Sequence, residues 1–169
     1  MSEAGLASVD TSRFSMRVND TQHRQQVRLN IDYKFSKEVR LRGRIEKVFL
    51  NTEASGKHEE GSMFYQDVQF RSSDRWWWDM RIAFFHTDFY DTRIYEYERD
   101  LEGVLALPAL YGNGVRWYLV AQYQIMNEVR LSVKYSDIIR DDVRHIGTGL
   151  DELPTNHDNK IGVQMDFRF

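Results

Sequence analysis

The chain has 169 residues, with 23 Lys plus Arg against 26 Asp plus Glu, no Cys, 2 Pro, and 4 Trp, 9 Tyr and 10 Phe. That is the length of one domain with ample apolar surface for a core; it excludes disulfide frameworks, thiolate zinc sites and thiol catalysis. A net charge of −3 weighs against nucleic-acid binding, and no apolar run approaches the roughly 18 residues of a membrane helix.

Residues 1–10 show neither the basic region nor the apolar stretch of a secretory signal. They read as a disordered segment ahead of a β-domain over 11–169. A weak strand at 14–18 and a connection at 20–23 precede the clearest pattern in the chain. From 26 to 35, Val27, Leu29, Ile31, Tyr33 and Phe35 alternate with Arg28, Asn30, Asp32 and Lys34, the period of a strand with one apolar face. After a turn at Ser36-Lys37 the period continues with Val39, Leu41, Gly43 and Ile45 against Glu38, Arg40, Arg42, Arg44 and Glu46. A long connection at 51–62, a weak strand at 64–70 and a turn at 72–74 lead to a third apolar row, Trp76, Trp78, Met80, Ile82 and Phe84. The stretch 86–114 is long and holds a potential hairpin, 93–98 with 104–107. Val115 to Ile125 and Val129 to Tyr135 supply two further rows about a turn at 126–128. The connection 137–159 then leads to Ile161, Val163, Met165, Phe167 and Phe169, which alternate with Gly162, Gln164, Asp166 and Arg168. No segment carries a sustained 3.6-residue period. Short turns alternate with long connections, so the reading is an antiparallel up-and-down β-barrel of eight strands, or ten if the hairpin joins.

Period alone does not say which face is inside, since a lipocalin-like carrier and a transmembrane barrel share it. The apolar rows hold about five residues each, which suits a tilted strand of roughly 9–11 residues crossing hydrocarbon; soluble strands more often run to about 5 or 6. Trp76, Trp78, Trp117, Tyr123 and Tyr135 lie toward strand ends, where an aromatic girdle would meet the membrane interfaces. The other face then lines a lumen. It carries Arg28, Arg40, Arg42, Arg44, Arg81, Arg116 and Arg130, with Asp32, Glu38, Glu46, Asp67, Asp79 and Asp166 as their partners. In an eight-stranded barrel such pairs fill the interior; in a wider one the cation excess makes an anion-preferring pore.

The last nine residues, Ile161-Gly-Val-Gln-Met-Asp-Phe-Arg-Phe169, resemble the C-terminal assembly signal of Gram-negative outer-membrane β-barrels. The resemblance covers roughly residues 11–169 as a pattern of strands and turns. It implies an outer-membrane location, lipid and the barrel-assembly machinery as partners, and an assembly role for Phe169, Phe167, Met165, Val163 and Ile161. Tyr95-Glu-Tyr-Glu98 and Leu107-Pro-Ala-Leu-Tyr-Gly-Asn-Gly-Val-Arg-Trp-Tyr118 are similar to the C-terminal barrel region of large outer-membrane proteins that carry helix-hairpin-helix repeats. No such repeat occurs in this chain, so no nucleic-acid role follows. That similarity implies a chain that is the tail of a longer barrel.

The function expected is a structural or interaction scaffold displaying acidic extracellular loops, with a narrow pore as a variant; the alternative is a soluble lipocalin-like barrel carrying an apolar ligand. No cofactor, metal site or catalytic residue is assigned. The carboxylates of 86–114 and 137–160 lack the spacing of a calcium loop and read as solvated. His86 with Asp88 could serve a hydrolase on the rim, but no nucleophile elbow accompanies them. The glycines Gly112, Gly114, Gly147 and Gly149 join no strand to a helix and read as turn residues.

Overall fold

The computed structural model of the chain describes residues 4–11, 14–53, 55–145 and 154–168. Ten strands form: β1 (Ala4–Thr11), β2 (Phe14–Lys34), β3 (Val39–Thr52), β4 (Lys57–Arg71), β5 (Trp76–Thr87), β6 (Ile94–Tyr95), β7 (Ala109–Leu110), β8 (Asn113–Met126), β9 (Val129–Arg140) and β10 (His157–Phe167). A 3-10 turn at Tyr90–Thr92 is the one helical element among the described residues. The main sheet has eight strands in the order β1-β2-β3-β4-β5-β8-β9-β10, and every pairing is antiparallel. Among the described residues the sheet is open, since β10 pairs only with β9.

Each apolar row of the sequence falls inside one strand, but the strands run longer than the rows. The weak strand at 14–18, the connection at 20–23 and the row at 26–35 fuse into the 21 residues of β2. The cause is that Thr21–Gln25 have neither Gly nor Pro to break extension, and β3 pairs them up to Gln22. The connection 51–62 shrinks to a turn at 53–56 around Gly56, whose φ of 61° takes the left-handed conformation the reversal needs. The 137–159 connection likewise begins after Arg140, with β9 extended through Ile138 and Ile139. Ala4–Thr11, of which 4–10 fall in the segment read as disordered, is extended and paired with 14–21 of β2. Phe169 lies outside the described residues.

The two faces of the sheet have opposite chemistry. On β3 to β5, Glu46, Val48, Met63, Tyr65, Asp67, Asp79, Arg81, Ala83 and Phe85 are buried on one face, the covered face. On the other, the open face, Ile45, Phe64, Trp76, Met80 and Phe84 are exposed, and on the outer strands so are Val27, Leu29, Ile31, Ile161 and Val163. Leu29, Ile45, Phe64, Phe84 and Val115 are successive register partners, so the apolar surface is one continuous belt. On β3, β4, β5 and β8 it stops one step of two residues farther up: Lys47, Ser62, His86 and Asn113 are register partners in the same way. The covered face is closed over by residues 88–112, which leave β5 and fold back across the sheet before β8.

Candidate functional site: a charged face and an inward hairpin

The stretch 93–112 is a hairpin, as its sequence suggests, with Ile94 opposite Leu110, Tyr95 opposite Ala109 and Glu98 bridged to Ala106. It neither extends the sheet nor adds strands to it. Its tip is a turn in which Val104 N–H donates to Leu101 O at 3.1 Å, with Gly103 at a φ of 81°. Gly61 and Gly162 admit it. A Cβ at Gly61 would lie 2.6 Å from the Thr92 carbonyl oxygen, and one at Gly162 would lie 2.9 Å from Leu101 Cδ1. The first arm therefore descends the covered face from the long-connection end at β4 to the short-turn end at β10.

Alternation in that arm does the chemistry. Glu96, Glu98, Asp100 and Glu102 recur at every second residue, so in an extended chain they share a side. Each meets cations projecting from the sheet. Glu96 accepts from Arg81 Nη1 at 3.1 Å and pairs with Arg44. Glu98 takes two hydrogen bonds from Arg116, the Nη2 contact at 2.9 Å, and lies 3.5 Å from Lys134 Nζ. Asp100 is 2.6 Å from Lys134 Nζ, and Glu102 is 2.9 Å from Arg130 Nη1. The backbone helps at both ends: Arg24 donates to the carbonyls of Asp91 and Arg93 at 2.7 Å, and Gln164 donates to the Glu102 carbonyl at 3.1 Å.

The wall supplies a second layer of pairs. Arg81 is the centre, its Nε and Nη2 on the two oxygens of Asp67 at 2.5 and 2.8 Å, its guanidinium 3.8 Å from the Tyr65 ring and its Nη1 also on the Tyr97 carbonyl. Arg42 shares Asp67 at 3.2 Å, Arg28 meets Glu46 at 2.7 Å, and Arg40 meets Asp32 at 2.7 Å through Nε. Asp79 is answered from the hairpin, by Arg99 at 3.3 Å. Glu38 accepts from the Ser36 hydroxyl, and Asp166 from Gln164, so these two expected partners of the Arg row are spent on neighbours. Between wall and hairpin lies a cavity of about 400 Å³ lined by Arg42, Arg44, Trp77, Asp79, Arg99 and Gln122, among others.

Two expectations are corrected here. The carboxylates of 86–114 are not all solvated: Asp88, Asp91 and Glu102 are exposed, but Glu96 and Glu98 are buried against Arg44, Arg81 and Arg116. Arg116 and Arg130 pair with Glu98 and Glu102 of the hairpin rather than with carboxylates of the strands. The signal for both was the two-residue spacing of four acids. Burial pushes the Glu96 carboxyl above the ordinary range, and the pull of Arg81 and Arg44 opposes it.

The expected girdle residues all lie on the open face. Trp76 stacks on Tyr123 at 4.5 Å near the short turns, Trp78 lies 5.2 Å from Phe70 beside them, and Trp117 stacks on Tyr135 at 5.1 Å farther up. Ile161, Val163, Met165 and Phe167 share that face on β10 and are exposed. His86 Nε2 is 3.7 Å from Asp88 Oδ1, but Asp88 is occupied as a turn acceptor for Glu60 N–H at 2.8 Å. No family model, no curated protein and no solved structure matches this chain.

Proposed function

We propose that the sheet is wall of an outer-membrane β-barrel, a transmembrane scaffold whose lumen is filled by its own inward hairpin, and that the barrel-assembly machinery reads its last strand. The observation that carries the reading is the inversion of the two faces. A sheet in water hides its apolar face and solvates its charges; here a continuous apolar belt is exposed while arginines and carboxylates are covered. Ile45 to Val39 spans six residues, about 20 Å of strand, comparable with the apolar band of outer-membrane barrels, about 25 Å tall. The carrier reading needs a free apolar interior, whereas the apolar residues of the covered face, Val48, Met63, Ala83 and Phe85, are packed with Ile94 and Leu110 of the hairpin and the rest of that face carries ion pairs. The ladder of pairs from Glu96 to Glu102 occupies the path an ion would take, which favours a scaffold over a pore.

The test is lipid contact. In vesicles, bromine-labelled acyl chains should quench the fluorescence of Trp76, Trp78 and Trp117, and the protein should need detergent for extraction. A protein that stays monodisperse without detergent, with unquenched tryptophans, overturns the proposal.

A further inference from the structure

The following rests on the membrane reading. Among the described residues, two edges of the sheet are unpaired along the apolar belt. On β2, Thr21 O accepts from Glu53 N–H on the β3 side; residues alternate sides along a strand, so the amides of Gln26, Arg28, Asn30 and Asp32 point off the edge. On β10, Asn156 O and Arg168 N face the preceding strand and turn, so the amides of Ile161, Val163 and Met165 point off the other edge. Hydrocarbon has no water to satisfy them, so a spanning sheet has to be closed.

Direction limits what can close it. From β2 to β10 there are six antiparallel steps, so the two edge strands run the same way. They do not meet antiparallel with each other, nor with an edge of a second copy inserted in the same orientation. The missing strands run the opposite way at both edges, and their number is odd. Size sets the minimum. An eight-stranded interior is just filled by the side chains of its own wall, so one added strand leaves no room for the two arms of 93–112. The smallest odd number that widens the lumen further is three. The hairpin also has a second side: Tyr95, Tyr97, Leu105 and Leu107 are exposed and face away from the sheet, as a segment between two walls requires. Finally, β1 already runs antiparallel to β2 and stands beside it in the strand order. β1 thus shows the direction a strand must take to pair down β2 from Gln22 toward Lys34.

We propose that this sheet is one wall of a barrel of at least ten strands, whose missing wall is an odd number of strands, three or more, from polypeptide preceding β1, and that the hairpin is held between the two walls. The test uses the untagged product of the complete gene, isolated from its own membrane. Its mass should exceed 20.2 kDa by about 4 kDa or more, three spanning strands of roughly 10 residues and their turns. The amides of Gln26, Arg28, Asn30 and Asp32 should exchange as slowly as those of β4. The double variant Leu29→Cys/Val163→Cys, in a chain with no other cysteine, should form no disulfide. A 20.2 kDa product with fast-exchanging edge amides overturns the inference. So does a disulfide within one chain, which means direct closure, or between chains, which means self-association. A protein that leaves the membrane without detergent fails the membrane reading; one that needs detergent yet keeps fast edges fails only this inference.

Discussion

Arg81 holds two buried carboxylates, Asp67 and Glu96, and lies over the Tyr65 ring. Removing one member of a buried ionic cluster leaves the others uncompensated, at a cost of about 3–5 kcal/mol. Arg81→Met should therefore lower the midpoint of urea unfolding in micelles substantially. Arg40→Met, which removes the exposed pair with Asp32, should leave it in place. Glu96 makes a different expectation, in pH. Its folded pKa is raised by burial, so the folded state holds a proton that the unfolded chain has already released. Stability at this site then falls as pH rises from the ordinary carboxylate range through the raised value. Glu96→Gln should flatten that slope in unfolding measured from about pH 4 to about pH 8; a slope that survives the substitution would place the titration elsewhere.

The hairpin is an element the sequence half discloses. Its existence was legible but its second arm was expected too early: Glu98 bridges Ala106 inside the runs 93–98 and 104–107, whereas Ile94 and Tyr95 pair with Leu110 and Ala109 beyond them. Its position was not legible, because residues inside the sheet and residues displayed outside it share the same period. What decides is complementarity across 36 residues of chain for Glu98 and Lys134 and 28 for Glu102 and Arg130, and a single sequence does not reveal which charges meet. The apolar rows, by contrast, were fully legible as strands, and their common face follows from period two. Deleting 95–106 should test the hairpin as a plug. The intact protein should give negligible conductance in a planar bilayer, and the deletion should give steps with anion preference, from Arg42, Arg44 and Arg116, that Arg42→Glu weakens or reverses. Steps of equal size in both proteins would mean the hairpin blocks nothing.

At the scale of the molecule, the open face makes the sharpest claim. A lysine facing lipid near the bilayer midplane costs about 2–4 kcal/mol, whereas on a solvated sheet it costs little. Leu29→Lys should therefore destabilise the protein in vesicles by that amount, read from reversible unfolding in urea, and no loss would sink the belt as a lipid-facing surface. Phe169→Ser should lower the quantity of protein inserted in cells without changing the unfolding of what is inserted, as expected of a residue read during assembly. Unchanged insertion would remove the assembly signal from the proposal.

The ladder of acids also orders events during folding. The strands before the hairpin carry their own carboxylates: Glu46 for Arg28, and Asp67 for Arg42 and Arg81. The strands after it present Arg116, Arg130 and Lys134, whose charges are met by Glu98, Asp100 and Glu102. The first half of the sheet thus meets much of its own charge, leaving Arg44 and Asp79 to Glu96 and Arg99 of the hairpin, whereas the cations of the second depend on the hairpin. A chain that acquires β2 to β5 first, then lays the hairpin across them, offers β8 to β10 a ready template of negative charge on which to assemble. Reversing the order would gather cations with nothing to meet them, so the hairpin acts as the hinge of a sequential pathway as well as the filling of the finished molecule.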